Sequence, residues 1–199
     1  MHRLRREDED MDVETFLTEI IPIKDQELKR ILKEECIIES FQRGEQINKI
    51  GEIDKYIRFL ITGAVIGFIP DKNGKKITTG ISTNPGDAIS GARMLDGGPN
   101  EIGFGVIKDC EVFSIPADTV IRLRTQFQEI SDLHVLVLAQ AASYHWETKK
   151  MLYMKTAKER YEWFLEQYPG MIDSVSHRDI ASFLNITPVT LRRIRHGKE

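Results

Sequence analysis

Cysteine is nearly absent from the chain: 199 residues hold two, Cys36 and Cys110. Two thiols far apart in the sequence are too few for a four-thiolate iron–sulfur cluster or a structural zinc site. Both lie in strand-like apolar runs and read as small buried side chains of a protein in the reducing cytoplasm. Long apolar stretches are also missing. None approaches the roughly 20 residues that cross a bilayer, so no membrane partner is expected. The opening MHRLRREDED has basic residues but no apolar stretch after them, which excludes a secretory signal and reads as a mobile tail, with Met11 a second candidate start. Nor is there an excess of basic charge. With 28 Lys and Arg against 31 Asp and Glu, the net charge of −3 argues against a chain that coats nucleic acid with its whole surface and leaves room only for a local basic patch. No Walker loop, dinucleotide fingerprint or helical serine nucleophile is present.

The basic patch lies at the end. From Thr187 to Lys198 the chain carries Arg192, Arg193, Arg195 and Lys198 and no acid. The segment SHRDIASFLNITPVTLRRIRHGKE reads as a helix-turn-helix. Ser176 is an N-cap for a helix with Ile180, Ala181 and Leu184, Asn185 suits a left-handed helix end, and Thr187-Pro188 is a hydroxyl cap followed by proline at the first helical position. On the second helix Leu191 and Ile194 share a face able to pack on Ile180, Leu184 and Ile186, while Val189, Arg192, Arg193 and Arg195 face outward.

Upstream the character changes twice. Val13, Phe16, Leu17 and Ile20, then Leu28, Ile31 and Leu32 after Pro22, fit two short helices. From Cys36 to about Ile115 come short β-type runs, CIIESF, YIRFLI, AVIGFI, KITTGI and CEVFSI, divided by Gly44, Gly51, Gly63, Gly74 and Gly86, as in an all-β sandwich or barrel. Asp71-Lys72-Asn73-Gly74 is the clearest hairpin tip. Asp118 to Arg124 reads as a capped short helix. Between about Ile130 and Met154 there is neither proline nor glycine, and Leu133, Leu136, Val137, Gln140, Tyr144, Thr148, Met151 and Met154 fall along one side of a long helix, a seam for the same helix of a second chain. A further helix with Tyr161, Phe164, Leu165 and Tyr168 ends at Pro169-Gly170, and a hinge is placed near Thr156.

Glycine-punctuated β-roll, long helix, then helix-turn-helix: in this order the chain resembles the cyclic-AMP receptor protein and fumarate–nitrate regulator (Crp/Fnr) superfamily of bacterial transcription factors, over nearly all residues after Met11. AKERYEWFLEQYPGM and IASFLNITPVTLRRIR carry the resemblance most strongly; FQRGEQINKIGEIDKYIRFLITGAVIGFI and NPGD add to it. It implies an α+β chain with a double-stranded β-helix (jelly-roll, cyclic-nucleotide-binding-like) domain over 11–130, a dimerisation helix over 131–156, and a winged-helix-like DNA-binding domain over 157–199. Only His196 to Glu199 follow the second helix, so the usual wing is expected to be short or absent.

In relatives that bind cyclic nucleotides, a glutamate after the PGD turn holds the ribose and a later arginine pairs with the phosphate. Here GDAISGARMLDGGPNEIGF puts Gly91 at the first place and Asn100 or Glu101 at the second, with Arg93 beside Ala92 and out of register. A carboxylate there would repel a phosphate. The effector pocket, Gly91, Ala92, Arg93, Asn100 and Glu101, is therefore expected to take an unidentified small molecule or none, and not cyclic AMP; no cofactor or metal is expected. Gly97-Gly98-Pro99 reads as a loop. For the DNA-binding end the resemblance implies that Pro188, Val189, Arg192 and Arg193 read bases, with Arg193 matching the family's recognition-helix arginine and Val189 replacing its usual glutamate, while Ser176, His177, Thr187 and Arg195 position the phosphate backbone.

Two other classes stand beside this reading. A cupin-like metalloenzyme would need histidine ligands on the sheet, yet all five histidines, His2, His134, His145, His177 and His196, fall outside the β region. A cyclic-nucleotide sensor without DNA function would leave the basic helix-turn-helix with no purpose. The expected protein is a cytoplasmic homodimer bound to a palindromic operator in double-stranded DNA.

Overall fold

A computed structural model describes residues 11–90 and 97–197. The opening tail, Gly91, Ala92, Arg93, Lys198 and Glu199 lie outside the described residues. The chain opens with α1 (Val13–Thr15), which passes into a π-helical turn, Phe16–Ile20, followed by α2 (Gln26–Glu35). Asp25 caps α2 by accepting from the Leu28 N–H at 2.9 Å, and Glu129 from far along the chain accepts from the N–H groups of Lys24 and Asp25 at 2.7 and 3.0 Å. The Leu28 donor in the first turn of α2 is thereby satisfied, and Glu129 ties the residues just before that helix to a distant part of the chain.

Five antiparallel strands follow: β1 (Ile37–Phe41), β2 (Gln46–Asn48), β3 (Tyr56–Pro70), β4 (Lys76–Ser82) and β5 (Gly103–Pro116), ordered β1-β5-β3-β4 with β2 also on β5. The first half of β3 lies between β5 and the segment after β4, where the Leu60 and Ile89 N–H groups donate to the Asp87 and Arg58 carbonyls; its second half lies between β5 and β4. This exchange of neighbours curls the sheet into a roll. Leu60, Val65, Ile89, Phe104, Val106 and Val112 fill its interior.

The sequence runs YIRFLI and AVIGFI, expected as separate strands around Gly63, are one strand. Gly63 sits inside β3 as a bulge, with φ of +90° and the pairing to β5 slipping on either side of it. A Cβ there would stand 2.2 Å from the Asp109 carbonyl oxygen and 2.5 Å from the Cys110 Cβ. Only glycine lets the two strands approach so closely with a left-handed backbone. The Asp71–Gly74 tip forms as read: the Asp71 carboxylate accepts from the Asn73 and Lys75 N–H groups, both at 2.8 Å.

After β5 come α3 (Ala117–Leu123), α4 (Gln128–Met154), α5 (Ala157–Gln167), α6 (His177–Phe183) and α7 (Pro188–Arg195). The short helix read over Asp118 to Arg124 is present as α3, and Pro116 at its N-cap makes no side-chain cap bond. One core cluster joins α1, α2, α3 and the start of α4 to the sheet, with Phe16 stacked on Phe113. A second joins α5, α6 and α7 to Ala64, Ile66, Ile81 and Ile107 on the outside of the roll. Between α4 and α5 the helix is interrupted at Lys155 and Thr156, where Thr156 and Glu159 form a reciprocal capping box. The helix-turn-helix beyond this break nonetheless rests on the roll: Ser182 Oγ accepts from the Thr78 N–H at 3.0 Å, Thr78 Oγ1 donates to Asp179 at 3.2 Å, and Lys76 Nζ lies 3.5 Å from the same carboxylate.

The face assigned to α4 needs correction. Leu133 and Val137 pack on the first core cluster of their own chain and Met151 is buried in the second. Tyr144 accepts from the Ile81 N–H at 3.2 Å and is hydrogen-bonded to the Tyr168 hydroxyl at 3.2 Å; burial, with Tyr144 adding to it, pushes the Tyr168 phenol well above its ordinary range. Thr148 is buried too, while Leu136 and Gln140 are exposed. Val135, Leu138, Trp146 and Tyr153, on the opposite side of the helix, are each more than half exposed. The side read as a seam between two chains is mostly the side by which α4 holds its own roll.

Candidate nucleic-acid interface

Local capping chemistry builds the helix-turn-helix. Ser176 Oγ accepts from the Asp179 N–H at 3.1 Å and donates to its carboxylate at 2.6 Å. Asn185, the one described non-glycine residue with positive φ, adopts +51° and ends α6, after which the Ile186 N–H donates to the Ala181 carbonyl at 2.9 Å. Thr187 Oγ1 then accepts from the Thr190 N–H at 3.0 Å, and Pro188 opens α7. Every one of these roles follows from the residue types.

Between the helices the core is dry. Ile180, Ala181, Leu184 and Leu191 are essentially without solvent exposure, joined by Phe164, Tyr168, Val175 and Phe183. Helical periodicity in the sequence omits Phe183 and places Leu165 inward. Phe183 instead meets Trp163, Phe164 and Tyr168 in a group of rings with centroids 5.9–6.5 Å apart, and Leu165 is 39% exposed. The ring group follows from how α5 packs on α6, which local periodicity does not report.

On the other side, α7 is open. Pro188, Val189, Arg192, Arg193 and Arg195 are all exposed. A groove of about 590 Å³ is lined by His177, Pro188, Val189, Leu191, Arg192 and Arg195 with His196 at its end. Within it Arg195 contacts the His177 ring nitrogen Nε2, which brings together the first turn of α6 and the last turn of α7. Ser176 and Thr187 flank the groove as helix caps. The first turn of α7 contains no acidic residue and its last turn holds three arginines. Such a surface is complementary to a polyanion over a short stretch only.

The expected effector positions fare differently. Asn100 is buried, and its side-chain amide donates to the Lys49 carbonyl at 3.3 Å while its backbone pairs with Gly51 and Glu52. It staples the turn before β3. Glu101 beside it is exposed. The NPGD turn itself is formed: Asp87 accepts from the Thr83 and Asn84 N–H groups, both at 2.9 Å, and burial holds its carboxyl above the usual range despite those bonds. Cys36 and Cys110 are free and buried, which pushes their thiols up to about 12 and about 11. Among the described residues no helix is long and apolar enough to cross a membrane and no His/Cys/Asp/Glu group is placed to hold a metal ion.

No family sequence profile matches the chain, and no curated protein sequence does. Solved structures do. FixK2 from Bradyrhizobium japonicum superposes with a TM-score of 0.70 at 20% identity, covering 81% of this chain and 83% of its own. A CRP/FNR-family transcriptional regulator from Thermus thermophilus gives 0.65 at 16% identity, covering 81% and 84%. The catabolite activator protein of the same organism gives 0.54 at 16% identity, covering 92% and 85%. From roll to terminal helix pair, this chain has the fold of the Crp/Fnr regulators.

Proposed function

We propose that the protein is a cytoplasmic, homodimeric transcription regulator that reads a palindromic operator with α7. The observation carrying this reading is the open arginine face of α7, capped at its start by Thr187 and bounded by the groove to His177. In a helix-turn-helix the second helix enters the major groove and the first lies across the backbone. Arg193 makes a bidentate contact to guanine O6 and N7, and Val189 meets a thymine methyl where a glutamate would seek cytosine. Arg195, His177, Ser176 and Thr187 face phosphates and set the register. Arg193→Ala is expected to weaken the preferred operator by about 1–3 kcal/mol, roughly 5- to 150-fold, with little change on random DNA. Anisotropy titrations on a site selected from genomic fragments check this; equal affinity for selected and random DNA would overturn the DNA-reading assignment.

Dimerisation uses the open face of α4. Val135, Ala139, Ala142, Trp146, Lys149 and Tyr153 recur at spacings of four and three, the 3.5-residue period of a two-stranded seam, and all are exposed. A parallel pair about this seam places the two α7 helices on one side of the dimer. About 34 Å, one DNA turn, then separates the half-sites.

The roll senses an effector other than cyclic AMP. Calorimetry with cyclic AMP and cyclic GMP is expected to show no heat of binding. A micromolar response would overturn the assignment, which rests on the engaged Asn100 amide and the absence of arginine at its position.

A further inference from the structure

One cation outside the recognition surface ties its parts together. Arg160, on the first half of α5, directs Nε to the Lys155 carbonyl at 2.9 Å and Nη1 to the Leu184 and Asn185 carbonyls at 3.1 and 3.5 Å. Lys155 is the residue that closes α4, and Leu184 and Asn185 close α6 at the turn leading into α7. Carbonyls at the end of a helix have no partner within it and carry the negative end of the helix dipole. A single guanidinium therefore satisfies two helix ends at once, and its planar fork fixes the angle between the groups it bonds. Among the described residues, no other side chain bonds both the end of α4 and the turn of the helix-turn-helix.

We propose that Arg160 is a positioning residue for DNA reading: it sets the angle of α7 relative to the long helix, and thereby the half-site spacing that the dimer accepts. The proposal rests on the DNA-reading assignment, but its geometric part does not. Asp179 and Ser182 hold the first and last turns of α6 to the roll. Arg160 bonds the carbonyls that follow, at Leu184 and Asn185. With Arg160 removed, α6 stays seated on the roll through the shared core, and the turn leading into α7 loses its bond to the end of α4. Lysine restores the charge and reaches one helix end only.

The experiment uses the full-length chain and its Arg160→Gln and Arg160→Lys variants in two measurements. In the first, spin labels are placed through Glu147→Cys on α4 and Arg193→Cys on α7, Cys36 and Cys110 being buried; labelled chains are diluted into unlabelled ones and the distance within one chain is read by pulsed resonance. A narrow distribution is expected with Arg160, a broad one with Gln, and one still broadened with Lys. In the second, unlabelled chains are titrated against operators whose half-sites are moved apart one base pair at a time. Arg160→Gln is expected to lower affinity at the preferred spacing by about tenfold, to flatten the dependence on spacing, and to leave random-DNA binding unchanged. An unchanged distance distribution in Arg160→Gln would overturn the proposal, as would a Lys variant equal to the native chain in both measurements, since charge alone would then suffice. If Arg160→Gln loses the helical circular dichroism of the folded chain, the Lys variant decides by the same two readouts. Should the native chain prefer no operator at any spacing while the distances behave as described, the DNA-reading assignment fails and only the geometric part, the fixed angle of α7, stands.

Discussion

Ala142→Glu is expected to convert the dimer to a monomer and to reduce operator affinity by about 10²- to 10⁴-fold, the factor lost when a second linked contact becomes an independent binding event. Ala142 lies in the middle of the exposed α4 stripe, between Val135 and Trp146. In a parallel pair it faces its own counterpart, so the substitution brings two carboxylates together inside an apolar seam that water leaves on association. Alanine to glutamate is a small change in helix propensity, and the monomer should keep its fold. Gln140→Glu supplies the comparison. Gln140 is exposed but belongs to the other side of the helix, and the same charge there should leave the dimer intact. Sedimentation velocity at micromolar concentration separates the two cases: a dimeric Ala142→Glu chain beside a monomeric Gln140→Glu chain would mean that the seam is the one expected from sequence.

The largest effect on stability is expected at Gly63. Gly63→Ala should cost about 4 kcal/mol, the sum of a left-handed backbone forced on a residue with a side chain and a Cβ driven into the opposing strand. Contact distances of 2.2 Å to a carbonyl oxygen and 2.5 Å to the Cys110 Cβ leave no flexible atom to move aside. At the hairpin tip Gly74 also has positive φ, +76°, but a Cβ added there would meet nothing within 4 Å. Gly74→Ala should therefore cost about 1 kcal/mol, from backbone strain alone. Urea unfolding of both variants measures the difference. Equal losses would show that close strand approach contributes nothing beyond the backbone conformation.

What is legible in the sequence is what depends on neighbours along the chain. Ser176, Asn185 and Thr187-Pro188 each declare a helix end through chemistry contained within four residues, and the structure places all of them as read. The Asp71 turn is local in the same sense. Gly63 is different: a glycine between two apolar runs signals a turn in a short window, whereas its actual role is imposed by Asp109 and Cys110 across the sheet. For α4 the difficulty is that apolar residues occupy both sides of the helix. Spacing identifies two stripes and cannot say which one belongs to its own chain; the Tyr144 bonds to Ile81 and Tyr168 do. Counting along a resembling segment puts Asn100 at an effector position, and counting does not reveal that its amide is already bonded to Lys49. Arg160 carries no local signal at all, because the carbonyls that it joins lie at Lys155 and at Leu184–Asn185.

The bed that β4 provides for α6 bears on how such a protein exchanges parts over evolutionary time. Ile81 and Ile66 belong to the same dry cluster as Ile180, Phe183 and Leu191, so a recombination joint at the apparent boundary, Thr156, would divide that cluster between two parents. A graft of this helix-turn-helix onto another roll has to bring along the outward residues of β3 and β4, or re-create them in the host. Lineages built in this way should inherit roll and helix-turn-helix together, with Thr78 and Ser182 changing in step.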